Sequence, residues 1–196
     1  MLTRRHFIAT GAFSSILAAH PAFAQEAVEP APSAEPADPL APTQVTLAGA
    51  IPANQIHMDP NTFRLYFSVG GDQAIRYAVG VGRPGLYEPG AFFVGAKKEW
   101  PSWTPTPDMI EREPEKYKQY EDGMPGGPNN PLGARALYLF QPGRGDTYLR
   151  IHGTNSPRTI GTAVSNGCAR LTNEYIVDLY DRVPLRSNVF LYTRTG

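Results

Sequence analysis

Cys168 is the only cysteine of the 196-residue chain, and it follows His152 by sixteen positions within the stretch YLRIHGTNSPRTIGTAVSNGCARLTN, residues 148–173. A thiol and an imidazole in one site can perform nucleophilic catalysis, the imidazole taking the proton so that an imidazolium–thiolate pair forms, whose sulfur attacks a carbonyl. A lone cysteine more often serves as a small buried hydrophobe. Here its flanks, Ser165, Asn166, Gly167 and Arg170, are polar or small rather than the Val, Ile and Leu of a core strand. Cys168 is therefore read as the nucleophile and His152 as its base. An attacked carbonyl also needs donors for its developing charge, and the backbone N–H groups of Gly167 and Cys168 could supply them from a tight turn. No Asp or Glu lies between Arg150 and Asn173, so the base must be oriented by a backbone carbonyl such as that of Gly153, or by a distant residue. Arg150, Arg158 and Arg170 surround the pair in sequence. They could fork onto substrate carboxylates or be ordinary solvated or ion-paired charge. Ser165 and Thr154 are expected to shape the turn by local hydrogen bonds.

These side chains need a scaffold, and the spacing of apolar residues predicts one. Thr147–His152 alternates Leu149 and Ile151 with Tyr148, Arg150 and His152, which makes it a strand that ends with His152 facing away from its apolar side. It pairs with Ala136–Phe140 across a tip containing Gly143, Arg144 and Gly145. After Cys168, Asn173 is the expected cap of a helix carrying Ile176, Leu179, Tyr180 and Val183 on one stripe and ended by Pro184. Upstream, Thr62–Val69 and Ile75–Val79 alternate at period two around Gly70-Gly71-Asp72 and are read as a hairpin. Ala91–Trp100 and Val189–Thr193 are further strands. His57 has no apparent partner and is assigned a structural or surface role. The class is mainly β with one or two short helices.

Between Pro101 and Gly133 the chain carries seven prolines and at most one or two helical turns, started by Asp108 or Pro114. A segment of that length inside a domain is usually a lid or binding wall, and Trp103, Met109, Tyr117 and Tyr120 favour a packed wall. Gly126-Gly127 lacks the Lys-Ser/Thr that a phosphate loop requires.

Residues 1–24 combine Arg4-Arg5, an apolar run from Phe7 to Ala19 and Ala22-Phe23-Ala24, the pattern of an export signal cleaved after Ala24, of twin-arginine type. The apolar run is too short to span a bilayer, so the mature form is expected to have no membrane span and to reside in the periplasm or cell envelope. Residues 25–44, rich in Pro, Ala and acidic residues and free of aromatics, read as a tether, and 45–196 as one catalytic domain. Two of the 18 basic residues lie in the export segment and none of the 18 acidic ones, which leaves about −2 and no electrostatic case for nucleic acid. One cysteine and two histidines beyond that segment lack any ligand spacing, so neither a metal nor another cofactor is expected. An exported chain with a single free thiol calls for a reason for that thiol.

Ile151-His152-Gly153-Thr154-Asn155, then Ser165-Asn166-Gly167-Cys168-Ala169-Arg170 followed by NEYIVDLYDRVP, resembles the catalytic core of the L,D-transpeptidases, the YkuD family. GVGRPG, KKEWPSWTPTPDMI and MPGGPNNPLGARALYL agree with it, and the likeness covers roughly residues 50–193. The resemblance implies a β-sandwich-like fold with mixed sheets and an enzyme of peptidoglycan metabolism. Its cysteine would attack the bond between the L-centre of the third stem residue, commonly diaminopimelate, and D-Ala. The resulting thioester would be passed to an amine, either of another stem peptide, giving a 3-3 cross-link, or of a lipoprotein lysine. By the same likeness Cys168 is the nucleophile, His152 the base, Gly153 the orienting carbonyl, and Gly167 with Cys168 the oxyanion donors. Arg170, with Asn166, Ser165, Arg150 and Trp103 around it, would face the substrate. Many members carry a histidine where this chain has Asn166, so no proton-transfer role passes to that position. Hydrolysis of the same bond, as a carboxypeptidase or amidase, uses the same residues. A non-catalytic wall-binding module would have lost Cys168 or His152, and both are present.

Overall fold

The computed structural model describes residues 38–195. The export segment and most of the proline-rich stretch lie outside them. The described residues form ten strands: β1 (Thr43–Ile51), β2 (Gln55–Asp59), β3 (Arg64–Ala78), β4 (Val81–Gly82), β5 (Gly90–Glu99), β6 (Arg135–Gln141), β7 (Gly145–His152), β8 (Ala163–Ser165), β9 (Ala169–Arg170) and β10 (Asn188–Leu191). Eight of them form one mixed sheet in the order β1-β3-β2-β10-β5-β6-β7-β9, and β4 with β8 makes a two-stranded ribbon. β10 runs parallel to β2, and β9 parallel to β7. The protein is thus mainly β, as its alternating patterns predict. β1 opens at Thr43, so the last two residues of the stretch read as tether are strand.

Period-two alternation places one apolar row across the sheet. Phe67 pairs with Ile56, Ile56 with Val189 and Val189 with Phe92, while Val94 pairs with Leu139 and Leu137 with Ile151. All of these are buried, and Ile176, Leu179 and Val183 join them in one core. Those three residues lie on the apolar stripe of helix α3 (Asn173–Arg182) and its C-cap. Lys97 holds the far end of α3, donating from Nζ to the carbonyls of Tyr180 at 2.5 Å and Val183 at 2.7 Å. A cation among the last carbonyls of a helix satisfies orphan acceptors and complements the helix dipole.

The structure corrects three sequence-based expectations. The stretch from Thr62 to Val79 is not a hairpin. β3 runs continuously through Gly70 (φ 107°) and Gly71 (φ 61°), which bend the strand where its partner changes from β2 to β1. The true reversal is at 60–63, where Asp59 accepts from Asn61 N at 2.9 Å and from Thr62 Oγ1 at 2.7 Å. Second, the cap of α3 is Thr172, whose side chain accepts from Tyr175 N, and Asn173 is the first helical residue. The long segment holds the two helical turns expected of it, α1 (Pro107–Arg112) and α2 (Pro114–Tyr117), which with α3 make three short α-helices among the described residues. Third, α1 is started by Thr106, which accepts from Met109 N, and not by Asp108, which lies inside the first turn, whereas α2 starts at Pro114 as expected. His57 stands in β2, between Gln55 Oε1 at 3.1 Å and the Tyr192 hydroxyl at 2.7 Å, and stacks on Phe190.

Candidate active site

His152 is the last residue of β7, and Cys168 immediately precedes β9. The parallel register sets Ile151 beside Ala169 and His152 beside Arg170. Because side chains alternate along a strand, Arg150 and His152 on β7 share a face with Cys168 and Arg170. All four line one pocket of about 680 Å³, whose other walls come from Trp103, α1, α2 and Tyr148.

His152 departs from the position its pattern suggested. It faces away from Leu149 and Ile151, yet it is itself buried. Its Nδ1 lies 2.6 Å from the Gly153 carbonyl oxygen. A carbonyl can only accept, so Nδ1 carries the proton and Nε2 of the neutral ring is left as the basic atom. Desolvation pushes the imidazole pKa down to about 4, against the opposing pull of the Gly153 carbonyl and with the help of the Arg170 and Arg150 charges. Burial pushes the Cys168 thiol up from its ordinary value, while the Arg150 N–H and the Arg150 and Arg170 guanidinium groups pull it down. Both shifts favour the uncharged partners. The resting pair is a neutral thiol and a neutral imidazole, whereas an imidazolium–thiolate pair is the form that the residue types alone suggest.

The loop that presents Cys168 leaves no room for a side chain at position 167. Gly167 has φ 116°, in the region where L-residues are strained, and an added Cβ would lie 2.8 Å from the Leu86 carbonyl oxygen. Ser165 is buried and its hydroxyl donates to the Cys168 carbonyl at 2.6 Å, which shapes the turn. No backbone carbonyl or side chain among the described residues accepts from the N–H of Gly167 or of Cys168. Opposite the thiol, β7 carries a bulge between its pairings Tyr138↔Arg150 and Phe140↔Asp146. Tyr148, at φ 62°, aims its carbonyl at Cys168 Sγ, 3.8 Å away. Strained backbone of this kind clusters at functional sites.

The arginines separate into three situations. Arg150 is engaged by Asp146 through two hydrogen bonds of 2.6 and 2.9 Å and stacks on Tyr138, so its guanidinium is already committed inside the protein. Arg158 is exposed in a 3-10 turn, Pro157–Thr159, and does not line the pocket. Arg170 lines the pocket with Nε and Nη2 buried and without a hydrogen-bond partner among the described residues. Burial of two such donors is costly unless something accepts from them. Asn166 accepts at Oδ1 from Arg112 at 3.1 Å and Arg83 at 3.3 Å, and donates from Nδ2 to the Tyr117 hydroxyl at 2.8 Å. Trp103 packs edge-on against Tyr117 and Tyr120.

Several contributors were not legible in the sequence. Asn173 Oδ1 accepts from Ala134 N at 3.0 Å and Thr154 N at 3.2 Å, tying the residues after His152 to the start of β6. A Cβ at Gly133 or at Gly153 would overlap that oxygen. These two glycines were the available signal. The Tyr148 carbonyl and the Arg83–Glu113 ion pair at 2.5 Å had none. Among the described residues no group of His, Cys, Asp and Glu could hold a metal ion, and no helix is long and apolar enough to cross a membrane.

The fold that carries this pocket is shared with several solved structures. An L,D-transpeptidase from Mycobacterium smegmatis superimposes with a TM-score of 0.52 over 71% of this chain and 58% of that one, at 18% identity, a likeness of fold alone. The family model of the L,D-transpeptidase catalytic domain, YkuD, matches residues 53–191, and the chain belongs to that family. It is 36% identical over 129 residues to a probable L,D-transpeptidase, ErfK/SrfK, of Escherichia coli, covering 64% of this chain and 40% of that protein. It is 44% identical over 95 residues to a putative L,D-transpeptidase of Fuscovulum blasticum, covering 47% and 44%. The match thus spans less than half the length of these curated relatives. A Brucella melitensis protein named a probable carnitine operon oxidoreductase is 46% identical, with a TM-score of 0.54 over 83% of this chain and 95% of that one.

Proposed function

We propose that the protein is an exported L,D-transpeptidase of peptidoglycan in which Cys168 is the nucleophile and His152 the general base. The observation that carries this reading is the shared pocket of the chain's one thiol and a neutral imidazole whose Nδ1 is taken by Gly153, in a chain of this family.

In the acylation step His152 Nε2 takes the thiol proton as Sγ bonds to the carbonyl carbon of the third stem residue. The oxygen gains charge and accepts from the N–H groups of Gly167 and Cys168. Collapse breaks the C–N bond, and the D-Ala amine leaves with the proton returned by His152, so a thioester remains on Cys168. An incoming amine, from a second stem peptide or a lipoprotein lysine, then gives its proton to His152, forms the new amide and releases the thiol. Arg170, with two buried donors unmatched, suits a stem-peptide carboxylate. Trp103 and the helices behind it would line the stem, and export to the periplasm would bring enzyme and substrate together.

Mass spectrometry of products from a purified tetrapeptide muropeptide, with and without an amine acceptor, tests the reading. D-Ala release with a 3-3 dimer or an acceptor amide is the expected result, absent in Cys168→Ala. Free tripeptide alone, unchanged by acceptor, would reassign the protein as a hydrolase of the same bond.

A further inference from the structure

We infer that Asn166 is a positioning residue that latches the α1–α2 wall onto the nucleophile loop, so that the pocket wall is held relative to the thiol by one side-chain amide and its neighbour Arg83. The part of this inference that concerns substrate rests on the transpeptidase reading; the latch itself does not.

The hydrogen bonds leaving α1 and α2 carry the argument. Arg112, the last residue of α1, donates to Asn166 Oδ1 at 3.1 Å. Tyr117, the last residue of α2, accepts from Asn166 Nδ2 at 2.8 Å. Glu113, between the helices, accepts from Arg83 at 2.5 Å, and Arg83 also reaches Asn166 Oδ1 at 3.3 Å. The remaining side-chain bonds of these helices, Met109 N to Thr106 Oγ1, Lys116 to Glu113 and Gln119 to the Lys116 carbonyl, stay within the segment. Among the described residues, then, every hydrogen bond from α1 or α2 to chain outside 101–133 ends on Asn166 or Arg83.

The amide suits this place because it accepts and donates at once. Its oxygen receives two guanidinium N–H groups while its nitrogen serves a phenol, three bonds from one short side chain. Two of them involve cations, the stronger kind. A protonated histidine at 166 would have no acceptor and would repel both arginines. Asn166 directly precedes Gly167, whose Cα lies so close to the Leu86 carbonyl that a Cβ would not fit, and Gly167 precedes Cys168, so a wall fastened to Asn166 is fastened to the Cys168 turn. Tyr117 is buried and packs against Trp103, so the latch also fixes the aromatic side of the pocket.

The test is amide hydrogen exchange on the mature chain with Asn166→Leu, Asn166→Asp and, from the wall side, Arg112→Met. Loss of hydrogen bonds to charged groups predicts that exchange over 109–117 rises about ten-fold in N166L and a few-fold in R112M. N166D, which still accepts from both arginines, retains most of the protection. Exchange in β6 and β7 and the rate of Cys168 alkylation by iodoacetamide stay within about two-fold, which a mere loosening of the nucleophile turn would not permit. On tetrapeptide muropeptide, N166L raises KM more than it lowers kcat. Unchanged protection of 109–117 in both N166L and R112M, or equal losses in N166L and N166D, overturns the latch. Absence of turnover by the wild type would instead defeat the transpeptidase reading and leave the exchange result standing.

Discussion

At the scale of single residues, the resting charge of the thiol and imidazole decides how the site is activated. Burial holds His152 neutral, down to about pH 4, and raises the thiol, so proton transfer has to accompany attack. The rate of Cys168 alkylation is therefore expected to rise with pH through and beyond the ordinary thiol range, with no plateau between pH 5 and 8. A plateau there would reveal a thiolate–imidazolium pair. The acidic limb of kcat/KM for acylation is expected well below pH 6.5, since the base stays unprotonated down to the low value of its own pKa. Gly167→Ala forces a Cβ into the Leu86 carbonyl at a positive φ, so it should reduce kcat by at least about 100-fold by displacing the N–H groups proposed as oxyanion donors. The melting curve of the same variant would show whether the loss is confined to the site. That Cys168 and His152 share one pocket was legible from the strand that ends at His152 and the polar loop around Cys168. Their ionisation was not, because desolvation depends on what the rest of the chain stacks over them. Arg150 and Arg170 look alike in sequence and differ through Asp146, four residues before Arg150.

At the scale of elements, β7 and β9 present the site, and α3 anchors the chain on the far side of Cys168. The capping rule that points to Asn173 fits Thr172 equally well, and the two adjacent residues share the work. Thr172 caps, while Asn173 reaches back to Ala134 and Thr154. Asn173→Ala should cost about 2–3 kcal/mol by leaving two N–H groups unmatched, read from urea denaturation. It should also lower kcat, because the Gly153 carbonyl that orients His152 loses its brace. Asn173→Asp keeps the acceptor and should recover most of both. The misplaced hairpin has a related cause. Gly70-Gly71 signals a reversal when read locally, but β1 and β2 lie against the two halves of β3, so the glycines bend the strand without reversing it. Partners outside the local stretch decided that outcome, and period-two alternation does not identify partners.

At the scale of the whole molecule, the mainly β class and the apolar row were readable because alternation marks a half-buried strand wherever its partner lies. The order of strands was not, since β10 enters between β2 and β5 from the far end of the chain. Stability should carry the mark of the buried base. His152 titrates near 4 in the folded protein and near 6.5 when unfolded, so the unfolded chain binds the proton more readily. Its contribution is fully present above pH 6.5 and is lost as pH falls toward 4, on the order of 3 kcal/mol, and His152→Gln should flatten that part of the profile. The proposed acyl transfer passes through a thioester on Cys168, and intact-mass spectrometry of the mature protein mixed with tetrapeptide stems, without acceptor, reads that intermediate directly. A mass increase equal to the stem peptide less D-Ala, located on Cys168 and discharged by an added amine, is the predicted result. D-Ala release by Cys168→Ala, or turnover with the adduct on another residue, would contradict it.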